Sequence, residues 1–415
     1  MLVDLLIHSA AQLLTVASEG PKRGAAQGEL GIIEDGAVAV KDGRIALVGR
    51  TAKVRAQVAA AQEINATGKV VLPGFVDAHT HAVFAGERAG EFEQRLAGAT
   101  YLQIMAAGGG IMSTVRATRA ASLEQLIADS RPRLDAMLAH GTTTTEVKTG
   151  YGLNTEDELK MLAAIRRLDE EHPLGLVPTF LGAHAVPEEY KGRADEYVDL
   201  IIREMLPAIC NLQSAIFCDV FCEAGAFTLA QSRRILEAAR RLGLGLKIHA
   251  DEFTALGGAA LAAELGATSA DHLAMTPEED LRKLATAGVV AVLLPGTTFG
   301  LGQTHYADAQ RMIELGVPVA LGSDLNPGTC WCESMPFIIA LACRYLRLTP
   351  AEAIVAATRN AAYASGVGER VGSLEVGKQA DIIVLALPDY RHLAYRFGSN
   401  PVQTVVKAGR VVVRH

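Results

Sequence analysis

Aromatic residues make up only 5% of this chain, and there is one tryptophan. That scarcity argues against a single-stranded nucleic-acid binder, which stacks bases on aromatic platforms. No basic run stands out, and the net charge is -7. There is therefore no electrostatic footprint for DNA, RNA or an anionic membrane. An anionic substrate would need a cation local to its pocket. The six cysteines, Cys210, Cys218, Cys222, Cys330, Cys332 and Cys343, contain no C-x-x-C pair. They are too few for a disulfide scaffold in a chain of this length, and buried thiols in a reducing cytosol are expected. No stretch reaches the ~18 apolar residues of a membrane span. Asp4 and His8 interrupt the first apolar run, and no basic segment precedes it, so no signal peptide is read. A soluble cytoplasmic protein without membrane or nucleic-acid partners is expected. Gly108-Gly109-Gly110 lacks the Gly-Lys-Ser/Thr that completes a phosphate loop and reads as a flexible loop near the site.

What is present suits an enzyme. The chain has 415 residues, 50% of them hydrophobic, and 40 glycines. That is enough to bury a large core with many tight strand–loop junctions. Near the N-terminus, Gly36–Val40 and Ile45–Gly49 flank the turn Lys41-Asp42-Gly43-Arg44, a hairpin signal. Near the C-terminus, Asp381–Leu385, Val402–Val406 and Val411–Val413 are similar short strands. Two β-rich ends predict one composite β-sandwich domain, residues 1–68 plus 370–415. Between them, residues 69–369 alternate strand and helix. Strand-length apolar runs occur at Val71–Val76, Thr142–Val147, Leu176–Leu181, Phe217–Cys222, Leu246–His249, Ser269–Leu273, Val289–Leu294 and Val317–Leu321. Helical patterns cover Leu123–Leu138, Glu156–Leu168, Leu229–Leu242 and about Pro336–Leu346. Eight β–α repeats predict an α/β fold, a (β/α)8 TIM-like barrel. The alternative is a doubly wound sheet with miscounted strands.

The polar residues favour the barrel. Active sites of such barrels lie at the C-terminal ends of the strands. There this sequence places His79 and His81, then Glu146, Lys148 and Tyr151, then His184, Glu223, His249 with Asp251 and Glu252, Asp271-His272, and Asp324. Only strand seven, leading to Pro295-Gly296-Thr297, lacks an ionisable group. Five of the eleven histidines fall on these positions. His79 and His81 are two apart on an extended segment, so both face one side. His249 and Asp324 can complete a set of three nitrogens and one oxygen, suited to zinc or iron with a position open for water. A metal there would lower the pKa of bound water to about 7. Proton transfer is expected of Glu252, three residues past His249. His272 would orient the nucleophile or polarise a carbonyl, and Asp324 would also relay a proton. Taken singly, each has a plainer reading: Glu252 as a helix N-terminal carboxylate, His272 as a buried structural histidine.

These residues resemble the amidohydrolase superfamily, through Pro73-Gly74-Phe75-Val76-Asp77-Ala78-His79-Thr80-His81, then His249, His272 and Asp324. The tail Thr358–Ala362 and Gly372–Val384 resembles it too. Many binuclear members carry a carboxylated lysine after strand four, where this chain has Glu223, so a mononuclear site is implied. Finer matches resemble the imidazolonepropionase family: Phe84–Arg88, Lys148–Leu153, Phe180–Pro187 and Asp324–Gly328. That resemblance implies hydrolysis of 4-imidazolone-5-propanoate to N-formimino-glutamate, one Zn2+ or Fe3+ per subunit, and a homodimer. For so anionic a small molecule, Arg88 offers a bidentate fork, unless it is spent in a surface ion pair with Glu87 or Glu91. Tyr151 adds a hydroxyl, and His184 and Glu252 contact the ring. Asn326, Gly328 and Thr329 would hold groups formed on opening. Cys330 or Cys332 would at most line the site. Two rivals remain: a purine or pyrimidine deaminase using the same metal set, and an inactive binding scaffold, which predicts lost metal ligands.

Overall fold

The computed structural model describes residues 1–99, 103 and 108–415. Its strands form two sheets of eight. The first begins with β1 (Leu2–Leu14), β2 (Ile32–Lys41), β3 (Arg44–Arg50), β4 (Ala59–Asn65) and β5 (Val70–Pro73). The second contains β6 (Phe75–Asp77), β7 (Thr142–Lys148), β8 (Gly175–Ala183), β9 (Phe217–Cys222), β10 (Gly245–Ala250), β11 (Ser269–His272), β12 (Val290–Leu293) and β13 (Val319–Leu321). The chain then returns to the first sheet with β14 (Ile382–Leu385), β15 (Val402–Lys407) and β16 (Arg410–Arg414).

In the first sheet the order is β16-β15-β14-β5-β1-β2-β3, with β4 also on β1. Its hairpin turns are those the sequence calls for. Asp42 and Gly43 both have positive φ, as do Ala408 and Gly409, the pattern of a two-residue type I′ turn. The sheet curls so that its ends meet. Ala380 N donates to Gly43 O at 2.9 Å and Gly409 N to Ala380 O at 3.0 Å. One apolar cluster inside the curl joins Val38, Val40 and Ile45 to Ile382, Val384 and Val406. The other face contributes Val70, Leu72, Ile383 and Val405 to the main core shared with the second sheet.

The second sheet is a parallel barrel in strict chain order, β6 to β13. Its ends are joined by a parallel bridge between Thr80 and Leu325. His81 N donates to Leu325 O and Asp324 N to His79 O, both at 2.9 Å. Helices on Leu123–Ala139, Thr155–Glu171, Leu229–Arg241 and Met335–Tyr345 lie where the apolar periodicity predicts. Side-chain caps start them at Ser122, Asn154, Thr228 and Ser334, satisfying amide donors that a first turn leaves open.

One expected strand is two. The run 71–76 breaks at Gly74, so β5 belongs to the first sheet and β6 to the barrel. A Cβ at Gly74 would lie 2.3 Å from the Thr143 side chain. Gly74 N bonds Asp381 O and Phe75 N bonds Gly141 O, both at 3.0 Å. The backbone therefore changes sheets at the one residue without a side chain. An apolar run buried on both sides of that junction carries no mark of the switch except the glycine.

Candidate metal centre and active site

Strand β6 delivers the first two histidines. Asp77, its last residue, is buried and accepts from Ser323 N at 2.8 Å. Burial raises its carboxyl to about 7, against hydrogen bonds that pull the other way. The carboxyl thus ties the end of β6 to the segment after β13. His79 Nε2 and His81 Nε2 each lie 3.5 Å from Asp324 Oδ1. Ring centroids are 4.5 Å apart for His79–His249, 5.3 Å for His249–His272 and 4.9 Å for His81–His184, the last pair stacked. All five histidines singled out in the sequence therefore converge on the barrel mouth. Asp324 and His272 hold positive φ, at 53° and 75°. Such strain in non-glycine residues clusters at functional sites.

Three ligand groupings appear among the described residues. His79, His81 and Asp324 have ligating atoms within 4.8 Å of one another, and so do His79, His249 and His272. A third, His79 with Glu146 and Asp271, lies deeper in the barrel. The Nε2 atoms of His79 and His249 are buried without a hydrogen-bond partner among the described residues. Unpaired buried polar atoms are costly, and a cation in their midst would resolve that cost. Burial, helped by Lys148 and neighbouring histidines, pushes His79 and His81 well below their ordinary pKa. Neutral imidazole is the form that binds metal. Burial raises Asp324 to about 6, opposed by the Thr297 hydroxyl, which donates to Asp324 Oδ2. The donor set thus fits zinc or iron. Strand seven, which has no ionisable residue here, contributes through that threonine.

Glu252 is almost buried, and its Oε1 lies 3.5 Å from His272 Nδ1. Burial, then the charges of Asp324 and Glu223, raise its carboxyl well above the usual range. Glu223, just past the end of β9, is turned to the next loop. It accepts from Ala224 N at 2.8 Å, Phe253 N at 2.9 Å and the Thr254 hydroxyl. It fixes the backbone that follows Glu252.

The remaining candidates divide. Tyr151 and His184 face the centre, their rings 5.8 and 4.9 Å from His81. Burial lowers His184 to about 3, and its Nδ1 lies 3.1 Å from Gly150 O. Arg88 is paired with Glu91, Nε to Oε2 at 2.8 Å and Nη2 to Oε2 at 2.7 Å. The ion pair considered from sequence therefore exists, although both side chains are only 15% exposed. Its remaining Nη1 lies against Gly328, where a Cβ would approach to 2.3 Å. Asn326 is occupied within its own loop. Its Oδ1 accepts from Gly328 N and Thr329 N at 2.8 Å, and its Nδ2 donates to Asp324 O and the Thr329 hydroxyl at 2.7 and 2.8 Å. These three residues form the turn against which Arg88 rests. Cys330 lies under Gly296, whose Cβ would meet its Sγ at 2.7 Å, and Cys332 turns its Sγ to Ser334 O. Gly110 is anchored, its N donating to Glu91 Oε1 at 3.1 Å.

Sequence reasoning gave no role to Asp219 and Asp271. Asp271 Oδ2 is 2.6 Å from His79 Nδ1, and Asp219 Oδ2 is 3.0 Å from His249 Nδ1. Such carboxylates orient imidazole ligands. The available signal was period-two alternation, which turns both aspartates into the barrel.

Residues 70–412 match the amidohydrolase family. The chain is 56% identical to an imidazolonepropionase of Symbiobacterium thermophilum, covering 99% of this chain and 97% of that one. It is 54% identical to one of Herpetosiphon aurantiacus, covering 99% and 98%. In fold it resembles a zinc-bound adenosine deaminase from Xanthomonas campestris, with TM-score 0.74 at 21% identity over 100% of this chain and 93% of that one. A 5-methylcytosine deaminase from Klebsiella pneumoniae gives TM-score 0.74 at 17% identity over 99% and 97%.

Proposed function

The chain belongs to the imidazolonepropionase family of amidohydrolases, and on that premise we propose how its residues carry out the reaction. It is a hydrolase of a carbon–nitrogen bond in a cyclic amide, opening 4-imidazolone-5-propanoate to N-formimino-L-glutamate in histidine degradation. The observation that carries the active-site reading is the convergence of His79, His81, His249 and Asp324, with buried Nε2 atoms on His79 and His249 that have no hydrogen-bond partner among the described residues. These four residues would hold one Zn2+ or Fe3+ per subunit. When bound, the ion supplies a water activated at neutral pH and polarises the ring carbonyl.

The chain's own groups do the rest. Glu252 takes the proton of the attacking water and passes it to the leaving ring nitrogen. Burial and the neighbouring carboxylates raise its pKa, which makes its protonated form easier to reach and suits a group that takes a proton and then gives it up. His272, beside Glu252, directs the carbonyl oxygen, and Asp324 relays a proton while ligating. Arg88 exchanges Glu91 for the substrate propionate, and the adjoining turn of Asn326, Gly328 and Thr329 holds the groups formed on opening. Tyr151 and His184 cover the ring, excluding water. The composite β domain of 1–68 plus 370–415, the barrel of 69–369, a cytoplasmic setting and a homodimer belong to the same reading. Among the described residues, no helix is long and apolar enough to cross a membrane.

Deaminases share the fold, but a neutral base needs no counterpart to Arg88. The test is direct. The purified chain should consume 4-imidazolone-5-propanoate with formation of N-formimino-glutamate and release no ammonia from guanine, cytosine or adenosine. Ammonia from a nucleobase, with no ring opening, would transfer the chain to the deaminase reading.

A further inference from the structure

Beneath the histidines the barrel interior holds charge, where branched apolar side chains are the usual filling. Glu146 and Lys148 of β7, Asp219 of β9, Lys247 of β10 and Asp271 of β11 are all fully buried. Lys148 Nζ lies 2.7 Å from Asp219 Oδ2, 2.9 Å from Glu146 Oε2 and 3.4 Å from Asp271 Oδ2. Burial alone would lower the pKa of this amine, but the three carboxylates raise it, so it is an ammonium.

The two aspartate oxygens that face Lys148 are the same ones that face imidazole. Asp271 Oδ2 stands between Lys148 and His79 Nδ1, and Asp219 Oδ2 between Lys148 and His249 Nδ1. One cation thus joins the carboxylate hydrogen-bonded to His79 and the carboxylate lying 3.0 Å from His249 Nδ1, across β7, β9 and β11. Its backbone is tied to the same place, because Lys148 N donates to Thr80 O at 2.8 Å, between His79 and His81. Without the ammonium, two buried carboxylates would lose their shared counter-charge. Their Oδ1 atoms would still be held, by Ser269 Oγ at 2.6 Å and Val220 N at 2.7 Å, but each Oδ2, the oxygen turned to imidazole, would lose the cation that holds it in place.

We propose that Lys148 is a positioning residue for the metal site, holding Asp219 and Asp271 so that His249 and His79 present Nε2 to the cation. The inference rests on the metal set given under the proposed function. It predicts that Lys148 sets metal affinity although it is not itself a ligand.

The test uses the full chain stripped of metal and titrated with zinc against a chromophoric chelator. Variants are Lys148→Met, Asp271→Asn and the double substitution. Each single change should weaken zinc binding about 10- to 100-fold, as loss of an orienting group does elsewhere. The double variant should fall short of the product of the two, because they act through one chain of contacts. The visible spectrum of the Co2+-loaded protein should change in Lys148→Met, which mere loss of stability would not cause. Zinc affinity within about twofold of wild type, or strictly multiplicative effects, would overturn the inference. If Lys148→Met does not fold, Asp219→Asn, Asp271→Asn and their combination make the same test with isosteric changes and the same two outcomes. A wild-type chain that binds no zinc would instead overturn the metal set itself.

Discussion

Gly328→Ala offers a sharp perturbation of the substrate-binding face. A Cβ there would sit 2.3 Å from Arg88 Nη1 and 3.3 Å from Asn326 Oδ1. Real Cβ contacts lie near 3.4 Å or beyond, so the guanidinium must retreat by about 1 Å. Gly328 is not among the positive-φ glycines, so alanine meets no backbone strain. The atom it strikes is the end of a flexible side chain, and the fold should absorb the change within roughly 0.5 kcal/mol. The site should not. If Arg88 binds the propionate, displacing it forfeits a charge-assisted bond of about 1.5–3 kcal/mol. That converts to roughly a 10- to 150-fold fall in kcat/KM. Most of the fall should be in KM, and Arg88→Met should show it without a clash. Steady-state kinetics with metal analysis and a thermal melt on the same samples separate the effects. Unchanged kcat/KM in both variants, with metal intact, would refute the role of Arg88 and leave it as the partner of Glu91.

Other outcomes follow from particular contacts. Glu252→Gln should lower kcat about 10²- to 10⁴-fold while zinc content stays at the wild-type level; near-normal turnover would remove Glu252 as the proton carrier. The base form of Glu252 is lost as pH falls through its raised pKa. The acid limb of kcat/KM should therefore lie above the ordinary carboxylate range in the wild type and disappear in Glu252→Gln. Chelation should lower the melting temperature, since a ligand at about 100 times its Kd stabilises by roughly 2.7 kcal/mol; identical melts with and without metal would contradict a filled site. Gly74→Ala should destabilise by about 1–3 kcal/mol, because its Cβ would overlap Thr143 at the junction of the two sheets; an unchanged denaturation midpoint would contradict the tight sheet switch.

The parts of the site that were legible share one property: they repeat along a single stretch of chain. His79 and His81 announce themselves by spacing on an extended segment. The barrel strands show as apolar runs with polar residues at their ends. What stayed hidden depends on register between strands. Nothing in the run Phe217–Cys222 says that Asp219 faces His249, because that contact is made across to β10. Lys148 and Glu146 sit at a strand end, as expected, but Glu146 points down into the barrel against Lys247 at 3.1 Å. The pairing of Arg88 with Glu91 was readable as an i, i+3 option, yet its choice over the open alternatives required the packed structure. Asn326, expected to touch the substrate, also bonds within its own turn, a habit of asparagine in loops that the sequence does not reveal.

The most direct test of the account is to restore metal-free protein with zinc in steps while following loss of 4-imidazolone-5-propanoate, with His79→Ala in parallel. The account predicts activity rising linearly to a plateau at about one metal per chain, with the variant inactive and weakly loaded. Full activity in the metal-free chain, or undiminished turnover in His79→Ala, would contradict it.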